Sequence, residues 1–192
     1  CKELVAEDGT PVDLQQLLTA RRTYLQWLTL AGHFDEVTSV VDEWHTLAGG
    51  EDMWTLALAS DWAAGWDDIG GASTLAAHLA TAYPNFPDGA QYAAMLASYA
   101  APDATYAATL GLAKHRFGWG NFPGAIEMSE LAITRATTDM DKAGAIGVLS
   151  NALAKMSRID EAMMHLEEAL TLDLPAEFKA NIQRTRDQMA GK

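Results

Sequence analysis

The chain has 192 residues with 26 acidic and 13 basic side chains, a formal net charge of −13, and a composition that is 49% hydrophobic and 20% charged. That length suits one domain with a sizeable core, the hydrophobic fraction excludes wholesale disorder, and the negative field opposes nucleic acid and anionic membrane surfaces. The least polar stretch, Ala93 to Ala101, carries Ser98 and Tyr99 and is far shorter than the roughly 18 residues a membrane helix needs. The charge is uneven. Residues 1–110 hold 15 acidic and 3 basic side chains, and residues 111–192 hold 11 and 10. Solvation of helical surfaces accounts for most of the acidity, and a cationic partner for the first half is the sharper reading.

Cys1 is the only cysteine, so no intramolecular disulfide can form. An opening Cys-Lys-Glu-Leu-Val-Ala-Glu-Asp-Gly-Thr resembles a mature bacterial lipoprotein, in which the first cysteine carries lipid. An expression boundary that happens to fall at cysteine is the alternative. The resemblance implies a soluble domain anchored through Cys1, in the periplasm or at the cell surface, with residues 1–10 as a tether. Lys2 agrees with outer-membrane sorting under the enterobacterial rule. Without that anchor, a soluble cytoplasmic protein is expected.

Along the chain, Tyr24, Leu25 and Leu28 mark a first helix, Gly32-His33-Phe34 a turn, and Val37, Val40, Val41 and Trp44 a second helix. Met53 to Ala64 and Ile69 to Tyr83 read as a helix pair broken at Gly65, and Pro84-Asn85-Phe86-Pro87-Asp88-Gly89 as a strong interruption. Gln91 to Ala100 is a short helix, followed by Ala101-Pro102-Asp103 with Pro at a helix start. Leu112 and Ala113 belong to the next helix, and Gly120-Asn121-Phe122-Pro123-Gly124 is a turn into a helix with Ala125, Ser129 and Ala132 on one side. Ile146, Leu149, Ser150 and Leu153 share a face, with a helix or loop extended near Thr137–Lys142. Ile159, Ala162, Met163, Leu166, Ala169 and Leu170 form the stripe of the following helix, which Pro175 closes. Phe178, Ile182 and Met189 then fit an end cap. No segment alternates with period two. The expectation is an all-α chain of about ten helices, divided into residues 1–10, 11–104 and 105–192.

In the last copy a bulky-bulky-small-bulky helix, and in the copy before it a helix with Leu112 and Ala113 at the corresponding positions, is followed by a turn and then by alanines seven apart, Ala162 with Ala169 and Ala125 with Ala132. This pattern resembles the tetratricopeptide (TPR) repeat family over roughly residues 105–190 and loosely over 18–50, where Trp44 replaces the second small residue. The resemblance implies antiparallel helix pairs stacked as an α-solenoid and a concave surface lined by first helices. On the two good repeats those residues are Leu110, Lys114 and Phe117, then Gly147, Asn151, Ala154 and Lys155. Family members that clamp a C-terminal carboxylate use Lys and Asn in this layer, a role with which Lys114, Asn151 and Lys155 are compatible.

Catalytic chemistry finds little purchase. The phosphate-binding, dinucleotide and zinc-protease motifs are absent, and His33, His45, His78, His115 and His165 fall on different predicted helices, which disfavours a metal site. Asp61, Asp67 and Asp68 lack the spacing of a cation loop, and Asp67-Asp68 before Ile69-Gly70-Gly71 reads as a helix N-cap. Five of the six tryptophans lie between residues 27 and 66, with Trp54, Leu58 and Trp62 four apart. Core packing explains most of that spacing; the functional reading is an aromatic groove formed by Trp54, Trp62 and Trp66 that grips a partner. The chain is therefore expected to be a scaffold or adaptor of an envelope-associated assembly rather than an enzyme, with protein partners and without cofactor, metal or nucleic acid. The alternative is a solute-binding protein with a tryptophan-rich pocket.

Overall fold

The computed structural model describes residues 13–47, 53–66 and 68–191. Among these the chain is all-helical, with ten helices and no strand. They are α1 (Leu14–Leu30), α2 (Phe34–Leu47), α3 (Met53–Gly65), α4 (Ile69–Ala82), α5 (Gly89–Ala100), α6 (Tyr106–Trp119), α7 (Phe122–Arg135), α8 (Asp139–Lys155), α9 (Ile159–Thr171) and α10 (Ala176–Met189). Each packs on its neighbours in sequence order, as in a helical-repeat solenoid, while α3 also meets α6 and α6 meets α8. Cys1, the 1–10 tether, Asp67 and the His45 side chain lie outside the described residues.

Local chemistry sets the helix ends. Asp68 accepts a hydrogen bond from the Gly71 amide at 2.8 Å and caps α4, the role expected of this aspartate pair. Thr138 caps α8 through the Asp141 amide at 3.1 Å. Gly120 closes α6 at φ 86°, a left-handed conformation that costs a glycine little. Pro102 does not begin a helix. The chain stays irregular to Thr105, whose hydroxyl accepts the Ala108 amide and starts α6 at Tyr106.

The small residues fall where helices approach most closely. Ala125, Ala132, Ala162 and Ala169 are buried, as are Ser129 and Ser150. The same device joins α3 to α4, a pair whose sequence is less regular: Ala63, Ala64, Ala72 and Ala76 pack together, and the Ser60 hydroxyl donates to the Ala72 carbonyl at 2.7 Å. With alanine on both sides the backbones come near enough for a serine side chain to reach across. The predicted end cap is only partial. No residue of α10 is buried, Phe178 is exposed, and a hollow of about 210 Å³ remains beneath it against Gly144, Gly147 and Asn151 of α8.

Ala162 is fully buried against Ala125, Leu149 and Leu153. Ala162→Leu forces three extra carbons into this contact and should cost about 1–3 kcal/mol, read as a lowered midpoint in chemical denaturation with unchanged helicity.

Candidate functional site

Trp119 stands at the last turn of α6 and is completely buried. It reaches its place because Gly65, at the end of α3, has no side chain: a Cβ there would lie 2.6 Å from the indole carbons Cγ and Cδ1. The indole N–H donates to Asp61 Oδ2 at 3.0 Å. His115, one turn earlier on α6, places Nε2 at 2.9 Å from the Asp61 carbonyl and 3.2 Å from Asp61 Oδ1. Both of those partners are acceptors, so Nε2 must carry the proton. Asn121 completes the seam, capping α7 through the Gly124 amide while its side-chain amide donates to the Gly65 carbonyl at 2.9 Å. On the outer side of the indole, the Arg22 guanidinium of α1 lies 4.6 Å from the ring centre.

Beside this knot runs a groove of about 290 Å³. Leu18 and Arg22 of α1 form one wall, Trp54, Leu58 and Asp61 of α3 the floor, and Phe86 and Tyr92 the far side. Trp54 and Phe86 meet edge to face, with ring centres 5.1 Å apart. Burial, reinforced by the negative charge of Asp61, pushes the Tyr92 phenol far above its usual range and raises Tyr99 for the same two reasons.

A second feature lies on the outside of α1. Tyr24, Trp27 and Leu30, three residues apart, are exposed, and Phe34 at the start of α2 continues the strip. Trp27 is 61% exposed and Leu30 64%, unusual values for such large apolar groups. The strip has internal order: Trp27 stacks between Tyr24 and His33, with ring centres 6.3 and 6.5 Å away, and Phe34 packs edge-on against Trp66.

The structure disperses the residues expected to bind a partner. Trp54 lines the groove, whereas Trp62 turns inward and donates to the Thr29 hydroxyl at 2.9 Å, and Trp66 is half-buried against the α1–α2 core. Leu110 is buried with Ala132 and Ala145, and Phe117 packs on Phe122, so both serve the core more than the concave surface. Lys114, Asn151 and Lys155 are exposed. Asn151 borders the hollow under α10, which narrows the surface a carboxylate clamp would need. Trp27, Arg22, His115 and Trp119 were not singled out as site residues, although a tryptophan directly before the Gly120-Asn121 turn marks a helix end available for such docking.

Compared with protein-family models, curated proteins and solved structures, the chain matches none of them. Among the described residues no group of three or more His, Cys, Asp or Glu side chains is placed to hold a metal ion, and no helix is long and apolar enough to cross a membrane.

The phenol shifts give a pH dependence with a definite sign. Unfolded tyrosines ionise near their ordinary value of 10.0, and Tyr92 and Tyr99 hold their protons to higher pH when folded. The unfolded state therefore binds fewer protons above about pH 10, and the stability that is intact below it falls as pH rises. Asp61→Asn removes the smaller of the two causes and leaves the burial, so the two phenols should ionise at somewhat lower pH than in the parent but still above the ordinary value of 10.0, as read by tyrosinate absorbance.

Proposed function

We propose that the chain is a non-catalytic, TPR-like scaffold whose partner docks on the aromatic strip of α1 and α2. The carrying observation is the exposure of Tyr24, Trp27, Leu30 and Phe34 in one continuous, ordered patch. Large apolar groups gathered this way on a water-facing surface are characteristic of interfaces, where tryptophan and tyrosine dominate the binding energy. The stacked helix pairs and the buried alanines seven apart support the likeness to TPR proteins. The 15 acidic against 3 basic side chains in residues 1–110 favour a partner segment that is apolar on one face and cationic at its rim.

A second reading, a small-molecule binding protein, is favoured by the groove beside Asp61. The two readings use opposite sides of α1 and are separable by mutation.

Replacing Trp27 and Leu30 together with serine should abolish co-purification of a native partner while leaving circular dichroism unchanged, since an aromatic anchor is worth about 2 kcal/mol or more. Replacing Lys114, Asn151 and Lys155 together should have little effect. Retention of the partner by the strip variant, with its loss in the second, would move the interface to the α6–α8 side. Such a scaffold would sit at a bacterial envelope if Cys1 carries lipid. Intact mass of the native protein should then exceed the polypeptide mass by the acyl groups, and an unmodified Cys1 would remove the anchor from this reading.

A further inference from the structure

The groove beside Asp61 holds two opposite charges that do not pair with each other. Asp61 is engaged at the edge of the Trp119 indole and Arg22 over its face, so the same ring keeps the carboxylate and the guanidinium in place and apart. Neither is used up by the contact. Asp61 Oδ2 accepts the Trp119 N–H, Oδ1 lies 3.2 Å from His115 Nε2, whose hydrogen bond goes to the Asp61 carbonyl, and a carboxylate oxygen can accept two hydrogen bonds. The side chain is still 25% exposed, and Arg22 faces solvent. A cation over a ring face keeps its N–H groups free to donate at the edge of the guanidinium plane.

Between and beyond these charges the groove is apolar, with Leu18, Trp54, Leu58 and Phe86 on its walls. Its volume of about 290 Å³ stands at the small end of ligand pockets, which run from about 300 to 1,000 Å³. That volume suits a single compact molecule. An uncharged apolar molecule would leave both charges unanswered, and a purely cationic one would face Arg22. The remaining class carries a cation and an anion close together on an apolar body.

We infer that this groove binds a free α-amino acid with an apolar or aromatic side chain, its ammonium on Asp61, its carboxylate on Arg22 and its side chain against Trp54 and Phe86. Tyr92 stands at the wall, its O–H turned to the Ala57 carbonyl at 3.5 Å, and adds its ring to the apolar lining. Because α1 supplies Arg22 and Leu18 while α3 supplies Asp61 and Trp54, occupancy clamps α1 onto α3. The inference goes beyond the scaffold reading and does not depend on it; it gives the groove a ligand that would fix the helix bearing the aromatic strip.

Calorimetric titration of the full chain with L-phenylalanine and L-leucine tests it, with phenethylamine and 3-phenylpropionate as analogues lacking one charge each. Saturable binding of at least one amino acid is expected, with both analogues weaker by about tenfold or more. Arg22→Gln should weaken the amino acid about tenfold while leaving phenethylamine unchanged or tighter. Asp61→Asn should weaken it similarly, and Arg22→Gln keeps the test decisive if a weakened Trp119 contact perturbs folding in Asp61→Asn. Absence of saturable binding for both amino acids at millimolar concentration overturns the inference, as does phenethylamine binding as tightly as phenylalanine, or full affinity in Arg22→Gln.

Discussion

The indole of Trp119 is the joint around which the two halves of the chain are arranged. It is the largest fully buried side chain, it enters the space left by Gly65, and its one polar atom is satisfied by Asp61. A buried indole N–H without a partner would cost free energy, so the carboxylate is needed where it is, and a carboxylate so placed needs donors in turn. His115, on the same helix, stands 3.2 Å from the carboxylate and hydrogen-bonds the Asp61 carbonyl. The arrangement links α3 to α6 across the intervening α4 and α5, which are held to the stack mainly by their own neighbours. Among the described residues, α3 and α6 are therefore joined through a satisfied polar contact.

The consequences extend outward from that joint. Asp61 adds to the burial that raises the phenols of Tyr92 and Tyr99 and floors the adjacent groove, while the outer face of the same indole receives Arg22 and so positions α1. Helix α1 has a different character from the alanine-rich pairs. Leu25 and Leu28 anchor it, Gln26 reaches the Gly118 carbonyl at 3.1 Å, and Arg21 donates to the Thr55 hydroxyl at 2.8 Å. Its attachment relies on side chains reaching across gaps, whereas α3 and α4 meet through small residues at short range. Long side chains leave hollows between them, and the groove is one such hollow.

At the other end, α10 covers the last repeat without sealing it. Its apolar residues reach α9 and the glycines of α8, but no position is fully enclosed, and one of the contacts that hold it, Arg186 to Glu167 at 3.7 Å, is solvent-exposed. Exposed ion pairs add little, so the cap is held mainly by partial apolar burial. The contrast with α1 is instructive. Both terminal helices leave a hollow, yet only the one at α1 has a carboxylate, a guanidinium and two facing aromatic rings around it.

By itself the sequence determined the helices, most of their ends and the tight contacts of the last repeats. Those features come from interactions within a few residues: the 3.6-residue apolar period, Asp68 and Thr138 capping their own helices, and alanines spaced so that one face can approach a neighbour. Pro102 was misplaced because a proline tolerates a helix start without requiring one, and Thr105 offered the stronger cap. Only the tertiary structure decided which aromatic residues face water. Trp54, Trp62 and Trp66 are chemically alike in sequence, but one lines a groove, one donates to Thr29 and one is half-buried in the core. The contacts that sort them join residues far apart, 58 positions between Asp61 and Trp119 and 56 between Gly65 and Asn121. Helical periodicity reports that a residue lies on a face, and the identity of what that face meets is set by how the pairs stack.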